Sequence, residues 1–495
     1  MSELSKSQNE VFSLRKEKEE NIKASSLDSF PTSFKNSTNI NLIHQSHSKI
    51  EDGAKTDISV SVRGRILAIR SFGKLTFIDL SDDTGKIQLV STTDLLSEEL
   101  QEYISNIDVG DIAGASGTVM KTKKGELSIE LKNFILLTKS FRNLPEKWHG
   151  LKDKETRFRQ RYLDFVVNEN AKETIKTRFR VLQLIRTFMT SENFLEVETP
   201  TLQPKAGGAI ARPFLTHHNA MGIDMYLRIA PELYLKRLVI GGFEKVFELG
   251  KVFRNEGIDL THSPEFTMME SYEAYSDVNS VMDMVEKMCQ YIVENLNIGS
   301  EVQYAEKIAD FSFPWERKSM FDLVSHKFDM GISHDSDLDS IKTKFETIHN
   351  ITTESKTIGE FVFELFEKYI ENEIVNPLFV TDYPKEVSPF ARENKDKEGI
   401  TERFELFAFG SELANGFSEL IDPQDQKERL KTQALKKAEG DEEAHVQDED
   451  YIEALEYGLP PTGGLGFGVD RFVMMLTNND SIREVIAFPH IKPEN

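Results

Sequence analysis

The chain has 495 residues, of which 39% are hydrophobic and 29% charged, an ordinary balance for a globular protein long enough for more than one domain. Lys+Arg 60 against Asp+Glu 83 leaves a net charge of −23, which excludes a uniformly basic nucleic-acid coat but not a local basic face. The single cysteine, Cys289, excludes a disulfide framework and a cysteine-rich zinc site, and fits a buried apolar role in a reducing compartment.

No apolar run reaches the roughly 18 residues of a membrane span. Residues 1–21 lack the apolar stretch of a signal peptide, so the expected location is cytoplasmic. Residues 10–24, rich in Lys, Arg and Glu, read as a short charged helix, and 25–39 as a Ser/Thr/Asn/Pro linker, within an N-terminal arm of 1–57. Over 58–143 the pattern becomes β-type: VRGRILAI, KLTFIDL, KIQLV, GDIAGASGTVM, GELSIEL and FILLTK, with turns at Asp82-Asp83-Thr84-Gly85 and Lys123-Lys124-Gly125. These about five or six strands predict a small OB-type barrel. The segment holds eleven Lys/Arg and eleven Asp/Glu, so the acidity lies almost wholly outside it.

Beyond a hinge at 144–151, containing Pro145 and Gly150, residues 144–495 read as one mixed unit. Ile175, Phe179, Leu182, Ile185 and Met189 recur at helical spacing and predict a helix within 171–194. Strand-like runs surround Val197, Tyr226, Phe247, Phe266, Phe404 and Phe417. Residues 300–400 read as an inserted helical region, and 441–450 as an acidic, solvated face.

Period-two alternation assigns Ile78, Leu80, Ile87 and Leu89 to the barrel interior and leaves Phe77 and Gln88 outside. An outward phenylalanine beside a glutamine, near Arg63, Arg65, Arg70 and Lys74, suits stacking and edge-reading of a splayed base. A phenylalanine packed under a loop explains the spacing equally well.

Three patterns in the larger unit bear on phosphate chemistry. Residues 246–256 and 265–272 read as antiparallel strands around a loop with Asp259, His262 and Pro264. Alternation puts Arg254 and Glu256 on one face, and aligns Phe266, Met268, Glu270 and Tyr272 on the partner strand. A guanidinium there can clamp a phosphate and an aromatic can stack on a purine, although Arg254 alone also fits a surface salt bridge. Next, Glu405 and Glu412 flank a turn at Gly410-Ser411, where they can hold Mg²⁺ beside nucleotide phosphates; Asn415, Phe417 and Glu419 share a face. Two acids in a hairpin are weak evidence by themselves. Last, the glycine-rich run 463–468 leads through Asp470 and Arg471 into an apolar helix. Such a strand lets a ligand lie against the backbone; it is not a P-loop, and no Rossmann acid follows it.

Together the patterns resemble the motifs of class II aminoacyl-tRNA synthetases. Residues 194–200 (FLEVETP) resemble motif 1, 253–256 (FRNE) with 262–270 motif 2, and 464–471 motif 3. The stretches RFRQRYLDF (158–166), ARPFLTHHNA (211–220), YLRIAPELYLKRLVIGGFEKVFELGKVFRNEGI (226–258), HSPEFTMMESYEAY (262–275) and ANGFSEL (414–420) are most similar to the bacterial type of class II lysyl-tRNA synthetase. The resemblance implies an α+β protein: an OB barrel that binds the tRNA anticodon, then a catalytic antiparallel sheet flanked by helices, assembled as a homodimer. It implies that Arg254 binds the α-phosphate of ATP, that Glu256 and His262 help hold the nucleotide, that Phe266 stacks on adenine, and that Arg471 contacts the γ-phosphate. Glu405 and Glu412 become Mg²⁺ ligands. For lysine, Gly208 and Glu232 hold the α-amino group, Asn415 lies near the carboxylate, Phe417 lines the stem, and Tyr272 and Glu419 take the ε-ammonium with Glu270 close by. Phe77, Gln88 and Glu126 correspond to the anticodon-reading residues.

The charge of that residue set agrees with a cationic substrate. Glu232, Glu270 and Glu419 bring three carboxylates to one pocket with no Lys or Arg assigned to face the side chain, so an acidic amino acid is repelled and an amide leaves charges unpaired. Lysine's compact ammonium needs less room than arginine's fork. For tRNA, the basic candidates are Arg15, Lys16, Lys18, Arg63, Arg65, Arg70, Lys121, Lys123 and Lys124.

Overall fold

The computed structural model describes residues 6–145, 151, 153–205, 207–209, 211–438 and 448–493. Two compact units result, Met1–Leu151 and Lys152–Asn495. In the first, α1 (Lys6–Ala24) and α2 (Ile40–His47) precede β1 (Lys55–Phe72), β2 (Leu75–Ser81), β3 (Lys86–Thr92), α3 (Glu98–Ser105), β4 (Ile112–Lys121) and β5 (Leu127–Thr138). The strands close into a barrel in the order β1-β2-β3-β5-β4. Closure follows from alternation: Ile78, Leu80, Ile87 and Leu89 all point inward and are buried with Val62, Ile66, Val119 and Ile129. GELSIEL and FILLTK form one strand, β5, instead of two.

The second unit begins with α4 (Lys154–Arg159), α5 (Arg161–Val167) and the long α6 (Glu169–Ser191), then β6 (Leu195–Glu196), β7 (Leu202–Gln203), β8 (Leu215–His218), β9 (Ile223–Leu227) and α7 (Glu232–Ile240). Next come β10 (Lys245–Phe253), β11 (Glu265–Ala274), α8 (Val278–Asn295), β12 (Glu301–Tyr304), β13 (Lys307–Asp310), β14 (Glu316–Ser319), α9 (Met320–Phe328), α10 (Leu338–His349) and α11 (Ile358–Tyr369). The chain continues through β15 (Leu378–Pro384), β16 (Ile400–Ala408), β17 (Ser411–Ser418), α12 (Pro423–Ala438), α13 (Glu449–Glu456), β18 (Thr462–Gly468), α14 (Val469–Leu476) and α15 (Ile482–Val485).

An eight-stranded sheet in the order β14-β15-β16-β17-β18-β11-β10-β6 organises this unit. It is antiparallel except for its outermost pairs, β6–β10 and β14–β15. Alternation splits the two faces. Phe247, Met269, Phe404, Leu465 and Phe467 meet Leu184, Ile185 and Phe188 of α6, Val285 and Met288 of α8 and Phe472 of α14 in one core. The intervening residues face the other way, in two rows across neighbouring strands: Glu270, Gly466, Asn415 and Glu405, then Tyr272, Gly464, Phe417 and Arg403.

Residues 300–400 depart from an inserted helical region. Helices α9, α10 and α11 have their own core of Phe321, Phe345, Phe361 and Phe366, but the interval also supplies the edge strand β14 of the main sheet and its neighbour β15. Glu316-Arg317-Lys318-Ser319 is a polar edge without apolar alternation, so its pairing has no local signal. Residues 146–150 and 441–447, which cover most of the expected hinge and acidic face, lie outside the described residues.

Candidate active site

The second row-bearing face of the sheet floors a cavity of about 560 Å³, lined at one end by Gly208, Glu232, Glu270, Tyr272, Asn415 and Phe417 and at the other by Arg254, Glu256, His262, Phe266, Glu405, Glu412 and Arg471. Its depth comes from glycine. Gly464, Gly466 and Gly468 of β18 stand between the side chains of β11 and β17 and present bare backbone. A Cβ on Gly464 would stand 2.8 Å from the Tyr272 ring and collide with Glu419 Oε1. Gly208 has φ +89, in the left-handed region, and a Cβ there would meet that of Glu232 at 3.0 Å.

Buried charge dominates the first end. Glu232 opens α7, Glu270 lies on β11 and Glu419 follows β17; all three are buried. Glu419 sits behind the lining, under Gly464. Lys236, one helical turn after Glu232, places its Nζ 2.6 Å from Glu232 Oε1 and in an ion pair with Glu419 Oε2. No Lys or Arg was expected beside the substrate side chain; Lys236 does not line the cavity but pairs with two of the three acids from within the fold. The signal was present as an i, i+4 Glu–Lys pair, but a lysine on a helix is ordinarily solvated. Burial pushes the Glu419 carboxyl up to about 8, helped by repulsion from Glu232 and only partly offset by Lys236. Burial and the Glu232 charge likewise hold Glu270 well above the usual carboxylate range. Burial works to lower Lys236, but Glu232 and Glu419 outweigh it and raise the ammonium above its ordinary value. Tyr272 donates its hydroxyl to Glu270 at 3.3 Å.

Arg403 was not anticipated either, although period two from Glu405 places it on the cavity face. It donates 3.0 Å to Asn415 Oδ1 and 2.5 Å to Glu405 Oε1, while Tyr383 donates 2.9 Å to Glu405 Oε2. Burial and the charge of Glu412 raise Glu405 to about 7. Two carboxylates that repel each other across one cavity suit a divalent cation whose other oxygens come from phosphate and water. Among the described residues there is no group of three or more potential ligands that would form a protein-only metal cage.

At the second end β10 stops at Phe253, so Arg254 and Glu256 lie in the following loop and not on the strand face that alternation suggested. Arg254 N donates to Pro264 O at 2.9 Å and Asn255 N to Arg212 O at 2.7 Å, drawing the chain away from ladder pairing. The guanidinium rests 5.1 Å from the Phe266 ring centre, and burial lowers its pKa from the ordinary value. His262 Nδ1 lies 2.8 Å from Asp259, and its Nε2 lies 3.4 Å from Arg471. Burial works to raise Asp259, but hydrogen bonds from His262 and Thr261 pull it down to about 2. Arg471 donates 2.9 Å to Glu412 O. Its neighbour Asp470 anchors the helix start by accepting from Thr267 N at 2.7 Å and pairing with buried Arg178, a support that spacing did not reveal.

Phe77, Gln88 and Glu126 lie in the other unit. Phe77 pairs with Val90, Gln88 with Asp79 and Ser128, and Glu126 lies two residues from Ser128. Phe77 and Gln88 are half-buried and Glu126 exposed. Most of the basic candidates are engaged internally. Arg15 donates to Ser140 O at 2.7 Å, Lys18 pairs with Asp108 at 2.7 Å, Arg63 donates to Phe34 O, Arg65 to Gly110 O, Arg70 to Asp79, and Lys121 pairs with Asp52. Lys16, Lys123 and Lys124 are exposed.

Residues 60–137 match the family described as OB-fold nucleic acid binding domain, and 153–492 match tRNA synthetases class II (D, K and N). The chain is 47% identical over 497 residues to a lysine–tRNA ligase of Prochlorococcus marinus, covering 98% of this chain and 97% of that one. Those of Nostoc sp. and Trichormus variabilis are 44% and 45% identical, each over 99% of this chain and 89% of theirs. With a closed five-stranded barrel ahead of an antiparallel-rich sheet that carries the glycine-floored cavity, the chain belongs to the class II tRNA synthetases (D, K and N).

Proposed function

We propose that the cavity activates L-lysine with ATP, giving lysyl-adenylate and pyrophosphate, and that lysine then passes to the 3′ end of its cognate tRNA, so that the chain is an ATP-dependent lysine–tRNA ligase. The observation that carries this reading is one cavity with buried carboxylates at one end and two guanidinium groups at the other. The near full-length similarity to lysine–tRNA ligases supports it.

In this reading Gly208 and Glu232 hold the α-ammonium, Asn415 lies by the carboxylate, Phe417 covers the stem, and Tyr272 and Glu419 receive the ε-ammonium beside Glu270. The lysine carboxylate is already a nucleophile, so its in-line attack on the α-phosphorus needs no protein base. Arg254 binds the α-phosphate and Arg471 the γ-phosphate, neutralising charge that grows as pyrophosphate leaves. Phe266 stacks on adenine while Glu256 and His262 hold the nucleotide. Glu405 and Glu412 would hold Mg²⁺, which when bound neutralises phosphate charge.

Residues 58–143 serve as the anticodon-binding barrel, with Phe77, Gln88 and Glu126 as readers; 1–57 are an arm and 144–495 the catalytic domain. The assembly is a homodimer through motif 1, in keeping with exposed Phe179, Leu195, Leu202, Leu215, Ile223 and Phe243 on the flanking segments. Its compartment is the cytoplasm, in keeping with one buried cysteine and no described helix long and apolar enough to cross a membrane.

The test is amino-acid-dependent ATP–pyrophosphate exchange with Mg²⁺ over all twenty amino acids, without tRNA. Exchange with lysine alone is expected. Exchange with aspartate or asparagine would keep the fold and overturn the pocket assignment.

A further inference from the structure

Lys236 is wholly buried, yet it is not tied up in a simple pair. Its ammonium bridges one oxygen of Glu232 and one of Glu419 and leaves the second oxygen of each acid. Glu419 Oε1 is buried without a hydrogen-bond partner and lies against Gly464 of the cavity floor. Glu232 Oε2 lies 3.7 Å from where a Cβ on cavity-lining Gly208 would stand. The resident ammonium also sits 4.9 Å from the ring centre of Phe390, 5.6 Å from Phe417 and 5.8 Å from Tyr272, faces that favour a cation.

We propose that Lys236 is a positioning residue that sets the charge and length selectivity of the amino-acid end. By gripping one oxygen of each acid it fixes the spacing between the acceptor for the α-ammonium and the acceptor for the side-chain ammonium. By pairing with Glu232 and Glu419 it offsets part of the acid surplus at this end and leaves the rest for a substrate with two ammonium groups. This lysine joins a cavity-lining acid, Glu232, to Glu419, whose second oxygen packs against Gly464 of the cavity floor. The inference rests on the lysine reading above and adds what enforces it.

The test uses the full chain, as wild type, K236M and K236R, in amino-acid-dependent pyrophosphate exchange with lysine and with ornithine, which is one methylene shorter. Wild type should favour lysine over ornithine by about 100-fold, near the upper range for one methylene. In K236M the KM for lysine should rise about 100-fold, the scale of a broken buried charge pair. The KM for ATP should stay within about threefold, and the lysine-to-ornithine ratio should fall about tenfold as the ruler is lost. K236R keeps the charge and should recover part of the lysine KM while still shifting the ratio. If K236M fails to fold, as judged by circular dichroism, K236R carries the test through that ratio. An unchanged ratio overturns the proposal, as does a loss of kcat with both KM values unmoved, which marks a merely structural role. Absence of lysine-dependent exchange in wild type would overturn the lysine reading itself, a result distinct from either.

Discussion

Glu232, Glu270 and Glu419 are 6%, 4% and 1% exposed at one end of the cavity, whereas the side chains of His262, Glu412 and Arg471 at the other keep 50%, 40% and 28% of their surface open. The first set hangs on a helix start and sheet strands and is partly neutralised by Lys236 before any ligand arrives. The second depends on a loop, strand β17 and a helix start, where Arg471 donates 2.9 Å to the Glu412 carbonyl while the two charged groups stand 3.7 Å apart. An amino-acid site must reject close relatives, and buried charge does so because a wrong ligand leaves it unpaired. A triphosphate carries enough charge to be held in part by hydrated groups, so that end combines these three with the more deeply set Arg254 and Glu405.

The sharpest way to break this contrast is to remove one buried acid. Glu419→Gln takes away the proposed ammonium acceptor and leaves Lys236 half-paired; losing one partner of a buried pair costs about 3–5 kcal/mol. The KM for lysine should rise by about a thousandfold while that for ATP holds. Steady-state exchange at varied lysine reads this out, and a rise under tenfold would show that the buried acids do not carry selectivity. At the open end, Arg254→Ala should remove about 3 kcal/mol of transition-state stabilisation with lysine affinity unchanged. Single-turnover adenylate formation within threefold of wild type would refute that role.

Much of this contrast was legible in the sequence because strands advertise their faces. Phe266, Glu270 and Tyr272 on β11, and Asn415 and Phe417 on β17, line the cavity as alternation required. The barrel interior followed from Ile78, Leu80, Ile87 and Leu89 in the same way. What escaped was non-local. Lys236 reads as a surface lysine until the fold closes aromatic rings over it. Arg15 and Lys18 read as basic contacts for RNA until Ser140 and Asp108 are brought to them from 125 and 90 residues away. The pairing of β14 with β15 depends on strands separated by three helices, and a parallel pair leaves no turn to mark it.

Phe77 belongs to neither end and so serves as a control. Its ring meets Phe72 edge-on with centroids 6.2 Å apart, beside the Arg70–Asp79 bridge. Phe77→Ala should weaken tRNA charging by about 1–3 kcal/mol, the scale of one base stacked on an aromatic ring, and leave adenylate formation intact. Equal losses in both assays would remove the anticodon role.

The mildest perturbation is pH, and its sign follows from the surplus of buried acid. With the Glu419 carboxyl raised to about 8 by burial and by Glu232, the empty cavity carries a proton there below that value. An incoming ammonium needs the carboxylate, so binding lysine expels the proton. Lysine affinity should therefore rise with pH through about 8 and level off above it, by at most about tenfold, or 1.4 kcal/mol, per unit. The ε-ammonium stays protonated over this window, titrating at about 10.4, whereas the α-ammonium titrates lower, so its own titration is measured on free lysine and subtracted from the trend. Calorimetric titration between about pH 6 and 9 in two buffers of different ionisation enthalpy would show the released proton directly. Affinity that stayed flat across this window, with no proton released, would mean that Glu419 is already ionised in the empty cavity, and that Lys236 balances the acids around it.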